Sequence, residues 1–317
     1  MILEENSDFD TLPADNKVYQ LMSWNIGYCG LDRDMDFFYD GGSMLRPEKE
    51  QVYDNFLAIQ DYVNTDTISD IFLLQEVDNG SRRSYNTKQY DNFWSLKLLE
   101  GYRTYFGINY SVKFVPVPVT NPMGKVLSGL LSISRFVPKS VIRRAYPDNE
   151  SFPMKYFNLR RCFLVKRYQL DNARELMIIN THNSAFDDGS QRKMEMDHLK
   201  NYILREYENG NFVIVGGDWN QVPTGFEPAY HDDFFDSTYS LLVPDDFLPE
   251  GWQWVYDNRC PTNRRVNQAY VKGTTGTTVI DHFLVSPNIV VDTVYAKHLD
   301  FEHSDHNPIY LRFKLSE

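Results

Sequence analysis

The stretch His303-Ser304-Asp305-His306-Asn307-Pro308 stands directly before the apolar alternation Ile309, Leu311, Phe313. That alternation has the period of a half-buried strand, so a carboxylate and an imidazole sit side by side at its mouth. An Asp there can hold or orient a cation, and a His can contact a phosphoryl oxygen or carry a proton. A lone Ser-Asp-His triplet says little, because many surface loops carry one. Further back along the chain the same arrangement recurs, a short hydrophobic run meeting a polar side chain. Asn25 follows Leu21-Met22-Ser23-Trp24, Glu76 follows Leu73-Leu74-Gln75, and His182 follows Ile178-Ile179-Asn180-Thr181. Asp218 and Asn220 follow Phe212 to Val215 through Gly216-Gly217, and Asp281 follows Val279-Ile280.

Strand ends gathered at one rim would form a cleft crowded with carboxylates, imidazoles and amides. Carboxylates brought together without positive charge repel, and a bound cation removes the conflict. The oxygen ligands of Asn, Glu and Asp suit a hard ion such as Mg²⁺ or Mn²⁺ better than zinc. Each residue alone also has a structural reading. Asn25 can turn the chain, Glu76 can be a solvated strand end, and His182 can be a satisfied core histidine. Asp218 can belong to a glycine turn, and Asp281 can pair with a nearby Arg. The ordered series argues against taking all of them that way.

The chain has 317 residues, 42% hydrophobic and 15% aromatic, enough for a sizeable core. No Pro/Gly/Ser-rich linker or repeat separates the polar clusters, so residues 18–317 read as one domain behind a polar N-terminal extension, residues 1–17. The formal net charge of -12 disfavours nonspecific binding to duplex DNA, which usually needs a basic face. It does not exclude a local groove lined by Arg82-Arg83, Arg143-Arg144, Arg160-Arg161 or Arg264-Arg265, although any one pair reads first as a solvated face. Cys29, Cys162 and Cys260 show no zinc spacing, and Cys162 reads as core. No run is long enough for stable membrane insertion, and Met1 to Lys17 show no secretory pattern. The compartment stays open, and a monomer is expected.

Val18 to Trp24 reads as a strand. A helix is expected from about Pro47, with Val52, Phe56, Ile59 and Val63 as its buried stripe. Ile71 to Leu74 is strand, and Tyr90 to Leu99 a second helix stopped by Gly101. Val112 to Val119 alternates, but Pro116 and Pro118 make it edge or loop. Leu127 to Ile133, Cys162 to Tyr168, Leu176 to Asn180, Phe212 to Val215, Thr277 to Ile280 and Ile309 to Leu315 read as strands. A third helix spans about Ser190 to Tyr207, with Leu199, Ile203 and Tyr207 on one face. Tyr230 to Tyr256 is aromatic, acidic and irregular, a surface-packed loop or part of a substrate wall.

The order Ser-Trp-Asn25-Ile-Gly, Leu-Leu-Gln-Glu76-Val, Asn-Thr-His182, Gly-Gly-Asp218-Trp-Asn220, Ile-Asp281-His-Phe and Ser-Asp305-His306-Asn-Pro resembles the endonuclease/exonuclease/phosphatase superfamily, from about Val18 to Leu315. The resemblance implies an α/β (α+β) four-layer sandwich, two mixed β-sheets packed face to face with helices on the outside. It also implies roles. Glu76 is then the principal Mg²⁺ (or Mn²⁺) ligand, with Asn25 beside it and Asp305 near the metal. Asp218 positions or deprotonates the attacking water, and His306, oriented by Asp281, faces the phosphate. His182, Asn220 and Arg161 become phosphate contacts, with Arg160 competing for the last role.

Departures from the pattern prune the substrates. Asp281-His282-Phe283 lacks the Pro-Ala-Trp-Cys-Asp-Arg element of inositol 5-phosphatases, and Gly27 stands where abasic-site enzymes typically carry Asp. The expectation is a Mg²⁺-dependent hydrolase of small-molecule or lipid-linked phosphate esters, whose substrate is a phosphorylated small molecule, lipid or nucleotide. A nuclease is the alternative among enzymes. A non-catalytic phosphate-ligand binding protein is the alternative of another class, and sphingomyelinase is retained with Trp252-Gln253-Trp254 read as a buried cluster.

Overall fold

The computed structural model of the chain describes residues 1–15, 17–94, 101–147, 161–185, 190–238 and 241–316. Six strands form one sheet, in the order Ile289–Ala296, Ile309–Leu315, Tyr19–Asn25, Ile71–Asp78, Gly124–Ser134 and Arg103–Val115. The other sheet runs Ile2–Glu5, Ser140–Ala145, Cys162–Leu170, Glu175–His182, Phe212–Asp218, Asp281–Val285 and Gln253–Val255, with Thr11–Leu12 paired beside Cys162–Leu170. Both are mixed. Tyr19–Asn25 is parallel to Ile71–Asp78 and antiparallel to Ile309–Leu315. Phe212–Asp218 is parallel to Glu175–His182 and antiparallel to Asp281–Val285.

Alternation along each strand sends neighbouring side chains to opposite faces, and that divides the core. Leu21, Leu73, Leu311 and Phe313 of the first sheet meet Ile178, Phe212, Ile214 and Phe283 of the second between the sheets. On the first sheet's outer face Met22, Trp24, Phe72 and Leu74 cover the Lys49–Thr65 helix. That helix contributes the expected stripe Val52, Phe56, Ile59 and Val63, all buried. On the second sheet's outer face Val165, Met177, Ile179, Val213 and Val215 pack on Met196, Leu199, Tyr202 and Ile203 of the Ser190–Glu208 helix. The result is the four-layer sandwich, helix on sheet on sheet on helix.

Several elements differ from their sequence reading. The run Thr277 to Ile280 is only strand over Gly276–Thr278, and Asp281 heads the next strand, Asp281–Val285, rather than ending one. Phe283 and Val285 face the inter-sheet core while Leu284 faces the outer helix, so alternation continues through a charged residue that a search for apolar runs stops at. The stretch Val112 to Val119, expected as edge or loop, holds the end of an edge strand that begins much earlier, at Arg103, and stops at Val115 before the prolines. The second helix is described over Gln89–Trp94; the rest of the expected span lies outside the described residues. Tyr207 is half-buried, and the helix buries Glu195 and Glu206 instead. Ile2–Glu5, in the polar extension, pairs with Ser140–Ala145 at the sheet edge. Arg83 and Arg264 are buried rather than solvated; Arg264 bonds the backbone carbonyls of Asp32, Met35, Arg265 and Gln268. Trp254 packs on Trp219 and Phe247, so the aromatic triplet belongs to a cluster. The three cysteines are free and buried. No helix among the described residues is long and apolar enough to cross a membrane.

One core position opposes folding. Lys166 pairs with Ile178, which faces the inter-sheet space, and its fully buried Nζ has no hydrogen-bond partner. Burial pushes its pKa well below the ordinary value of 10.5. Between that lowered value and 10.5 the unfolded chain holds a proton there that the folded chain does not, so this site's contribution to stability improves as pH rises toward 10.5. Lys166→Met is expected to stabilise the fold at pH 7 by about 1–3 kcal/mol, with the gain shrinking by pH 10. Urea unfolding at the two pH values checks this; a variant no more stable at pH 7 contradicts it.

Candidate active site

Strand register assembles the rim. Asp218 stands beside His182 on its parallel neighbour and opposite Asp281 on its antiparallel neighbour, so three functional side chains lie in one row at strand spacing. Gly217 allows it, because a Cβ there would lie 2.0 Å from the Thr181 carbonyl oxygen. In the other sheet Asn25 pairs with Gln75, which places it next to Glu76. A bulge between Leu74 and Val77, with Glu76 at φ 56°, turns the Glu76 side chain out of the ladder and into the cleft. The chain then reverses after Asn25 through Gly27, Tyr28 and Cys29, all with positive φ. A Cβ on Gly27 would lie 2.7 Å from Asp305 Oδ1, which explains why no side chain stands there.

The His303–Pro308 loop is tied across both sheets. Ser304 Oγ donates to the Asn25 carbonyl (2.8 Å), Trp24 Nε1 to the His306 carbonyl (2.8 Å), and Asn307 Nδ2 to the Pro261 carbonyl (2.9 Å). These bonds bring Asp305 and His306 to the row. His306 Nδ1 is 2.7 Å from Asp281 Oδ2. Asp218 is the hub: its Oδ2 accepts from Asn25 Nδ2 (2.9 Å) and lies 3.5 Å from His182 Nε2 and 3.7 Å from His306 Nε2. Its Oδ1 accepts the Asn220 backbone N–H at 2.8 Å. Glu76 Oε1 is 3.4 Å from Asn25 Nδ2 and 3.9 Å from His182 Nε2, and Asp305 Oδ2 is 3.9 Å from His306 Nε2.

Burial sets the protonation. It raises the Asp218 carboxyl above its usual range, with Asp281 adding to the effect against the opposing pull of His306. Burial raises Asp305 to about 7, with Glu76 adding. His306 goes the other way. Burial would lower it, but Asp281, Asp305 and Asp218 outweigh that and bring the imidazole to about 10. His182 falls well below 6.5, first through burial and then through Arg161 and His306.

Glu76, His182, Asp218, Asp305 and His306 line one cleft of about 640 Å³, whose lining also includes the apolar Leu31, Phe37, Val115 and Leu241. Leu241 brings the aromatic, acidic segment to the edge of this cleft. Arg161 lines it too, with Nη1 on the His182 carbonyl (3.1 Å) and a buried Nε without a partner; Arg160 lies outside the described residues. Asn220 is present, but its Nδ2 is bonded to the Asn183 carbonyl at 2.9 Å. Asn25 turns its nitrogen to the carboxylates, while its Oδ1 accepts the Gly27 N–H at 3.0 Å.

A model of the endonuclease/exonuclease/phosphatase family matches residues 22–306. The chain belongs to that family. No curated protein matches it in sequence at a significant level. Solved structures share the family fold. ANGEL2, a 2′,3′-cyclic phosphatase in complex with adenosine-2′,3′-vanadate, is 14% identical, covering 98% of this chain and 99% of its own, with a TM-score of 0.62. An endonuclease/exonuclease/phosphatase from Beutenbergia cavernae is 15% identical over 95% of this chain and 72% of its own, TM-score 0.59. TDP2 from D. rerio, complexed with single-strand DNA product, is 15% identical over 94% and 100%, TM-score 0.55. At such identities the likeness is one of fold.

The cleft of this family member also holds residues that the run-then-polar signal misses. Asn263 Nδ2 is 2.9 Å from His306 Nε2, and Arg83 and Arg192 line the cleft. None of the three ends an apolar run, and Arg83 was hidden in an arginine pair. The Asn263 amide can serve either charge state of His306. As placed it donates to a bare Nε2; turned over, its now unpartnered Oδ1 would accept from Nε2–H. The raised pKa favours the second. In EDTA-treated protein the His306 imidazole is expected to stay protonated above pH 8, and Asp281→Asn to lower its midpoint; ¹⁵N NMR titration measures both. The folded protein holds this proton where the unfolded chain does not. Its stabilising effect is therefore full below about pH 6.5 and lost as pH rises toward 10.

Proposed function

We propose that this protein is a divalent-metal-dependent hydrolase of phosphate esters, acting on small-molecule or lipid-linked phosphate by in-line attack of water. The observation that carries the reading is the setting of Asp218, a buried carboxylate with two imidazoles and an amide on one oxygen, at the cleft. A raised proton affinity is what a general base near neutral pH needs, so Asp218 is assigned to orient the water and take its proton. His306, held by Asp281, meets the phosphoryl oxygens as a cation, and neutral His182 offers a second contact. Arg161, through its unpartnered Nε, and Asn220 are assigned to the phosphate.

Glu76 and Asp305 would hold the cation. Asp305 Oδ1 is buried with no partner, the orphan acceptor that a cation satisfies, and an all-oxygen pair suits Mg²⁺ or Mn²⁺. Asn25 joins them through Oδ1 only if that oxygen leaves the Gly27 N–H. A second grouping, Asp218, Asp281 and His306, has its ligand atoms within 4.8 Å of one another. There Asp281 is engaged with His306 Nδ1 behind the ring, so this trio is assigned to proton and charge handling rather than to metal. The bound ion would supply charge neutralisation at the phosphoryl and leaving-group oxygens.

A cleft of about 640 Å³ suits a phosphorylated small molecule, and the net charge of -12 supports a small substrate over duplex DNA. The three arginines at the cleft are the observation that keeps a nuclease as the second reading. Retention of Glu76, Asp218, Asp281, Asp305 and His306 together argues against a binding protein without catalysis.

Hydrolysis of bis-p-nitrophenyl phosphate and p-nitrophenyl phosphate is expected with Mg²⁺ or Mn²⁺ and not with EDTA. Glu76→Ala and His306→Ala should each lower kcat by about 10²–10⁴-fold while unfolding cooperatively. Preference between the two esters separates phosphodiesterase from phosphatase, and wild-type turnover by His306→Ala would remove that residue from the reaction.

A further inference from the structure

We infer that Arg83 and Tyr28 form an oxyanion subsite on the Glu76 wall of the cleft, which takes a second phosphate-like group of the substrate beside the one that is cleaved. The inference rests on the hydrolase reading and names a feature of its substrate.

Arg83 is almost wholly buried, yet it lines the cleft. It is held from behind. Nε and Nη2 donate to the two carboxylate oxygens of Asp78 at 3.1 and 2.9 Å, and Nη2 also reaches Ser128 Oγ at 3.3 Å. Asp78 has no exposed surface and is itself fixed, its N–H bonded to Gln89 Oε1 and its Oδ2 accepting from Ser84 Oγ. The ion pair therefore stands with its cation toward the cleft and its anion behind. Those bonds use Nε and Nη2, so the Nη1 edge is the one turned away from Asp78. Such a fixed fork suits phosphate or carboxylate oxygens.

Tyr28 supplies the independent observation. Its ring lies 3.7 Å beneath the Arg83 guanidinium, and it too lines the cleft. Its hydroxyl is buried without a hydrogen-bond partner, and it senses the charges of Arg83, Glu76 and Asp305. A buried phenol without an acceptor costs stability unless a ligand provides one. Gln89 Nε2 donates to the Tyr28 carbonyl at 2.7 Å, so the network that fixes Asp78 also fixes the strained Tyr28 backbone. Two donors thus sit together at the cleft, the Tyr28 hydroxyl without an acceptor and the Arg83 Nη1 edge turned away from Asp78. Glu76, 3.9 Å from Arg83 Nη2, lies between them and the reacting centre.

The test compares thymidine 5′-(p-nitrophenyl phosphate) with the same ester carrying a 3′-phosphate, a pair that differs by one phosphate group. Wild-type protein is expected to favour the 3′-phosphorylated ester by about tenfold in kcat/KM, chiefly through KM, as charge-assisted hydrogen bonds would give. Tyr28→Phe removes only the hydroxyl and should collapse that preference; Arg83→Lys should keep part of it. Arg83→Gln strands a buried Asp78, so Asp78→Asn/Arg83→Gln is made beside it, and it should lose the preference with cooperative unfolding retained. Equal turnover of the two esters by wild type overturns the subsite and leaves the hydrolase reading standing. If neither ester is turned over, the hydrolase reading fails for such diesters. The subsite is then judged by calorimetry with thymidine 3′,5′-bisphosphate against thymidine 5′-phosphate. Tighter binding of the bisphosphate, lost in Tyr28→Phe, supports it, and equal binding overturns it.

Discussion

Asp218 and Asp281 face each other across neighbouring antiparallel strands, both shut away from water, and the rim is organised around that conflict. Like charges directly opposite each other in a sheet are destabilising, and burial removes the solvent that would screen them. His306 resolves it from the other sheet's side, bonding Asp281 and standing 3.7 Å from Asp218. The compensation is incomplete. Asp281 Oδ1 and Asp305 Oδ1 remain buried without partners, and Asp218 and Asp305 hold their protons more tightly than usual. A site left short of positive charge in this way is prepared for a cation and for an oxyanion's counter-donors.

Backbone conformation does the rest of the positioning. Glu76 and Asn220 both adopt positive φ, an uncommon state for residues with side chains, and both belong to the candidate site. The Gly27–Cys29 turn carries three consecutive positive φ values and brings Asn25, Asp305 and Tyr28 within one small volume. Such strain persists only where the surroundings hold it, and here two close-packed sheets do so from below.

The fold was legible wherever burial leaves a period in the chain. The strands Ile71–Asp78, Glu175–His182 and Phe212–Asp218, and the stripe on Lys49–Thr65, are near-continuous or helical apolar patterns. Alternation carries Asp281–Val285 too, but a charge at its head masks it, because that charge is satisfied by His306, 25 residues on and in the other sheet's loop. Ile2–Glu5 is an exposed edge strand and Arg103–Val115 a half-exposed one, so neither carries a strong contrast. Arg83 reads as half of a solvated pair because no period marks the turn that seats it on Asp78, five residues before it, and Asn263 is illegible because its partner His306 lies 43 residues on.

The sequence by itself marked the candidates Asn25, Glu76, His182, Asp218, Asp281, Asp305 and His306, since each abuts an apolar segment whose period or length marks a strand, and the order of their motifs carried the resemblance that implied the family and the four-layer class. Only the tertiary structure decided which of them meet. Register between strands put Asp218 beside His182 and Asp281, a bulge turned Glu76 into the cleft, and loop bonds drew His306 onto Asp281. It also decided that Arg83 faces the cleft while its partner Asp78 does not. These are contacts between residues up to some hundreds of positions apart, and a linear pattern carries the local period of burial but not the pairing that closes it.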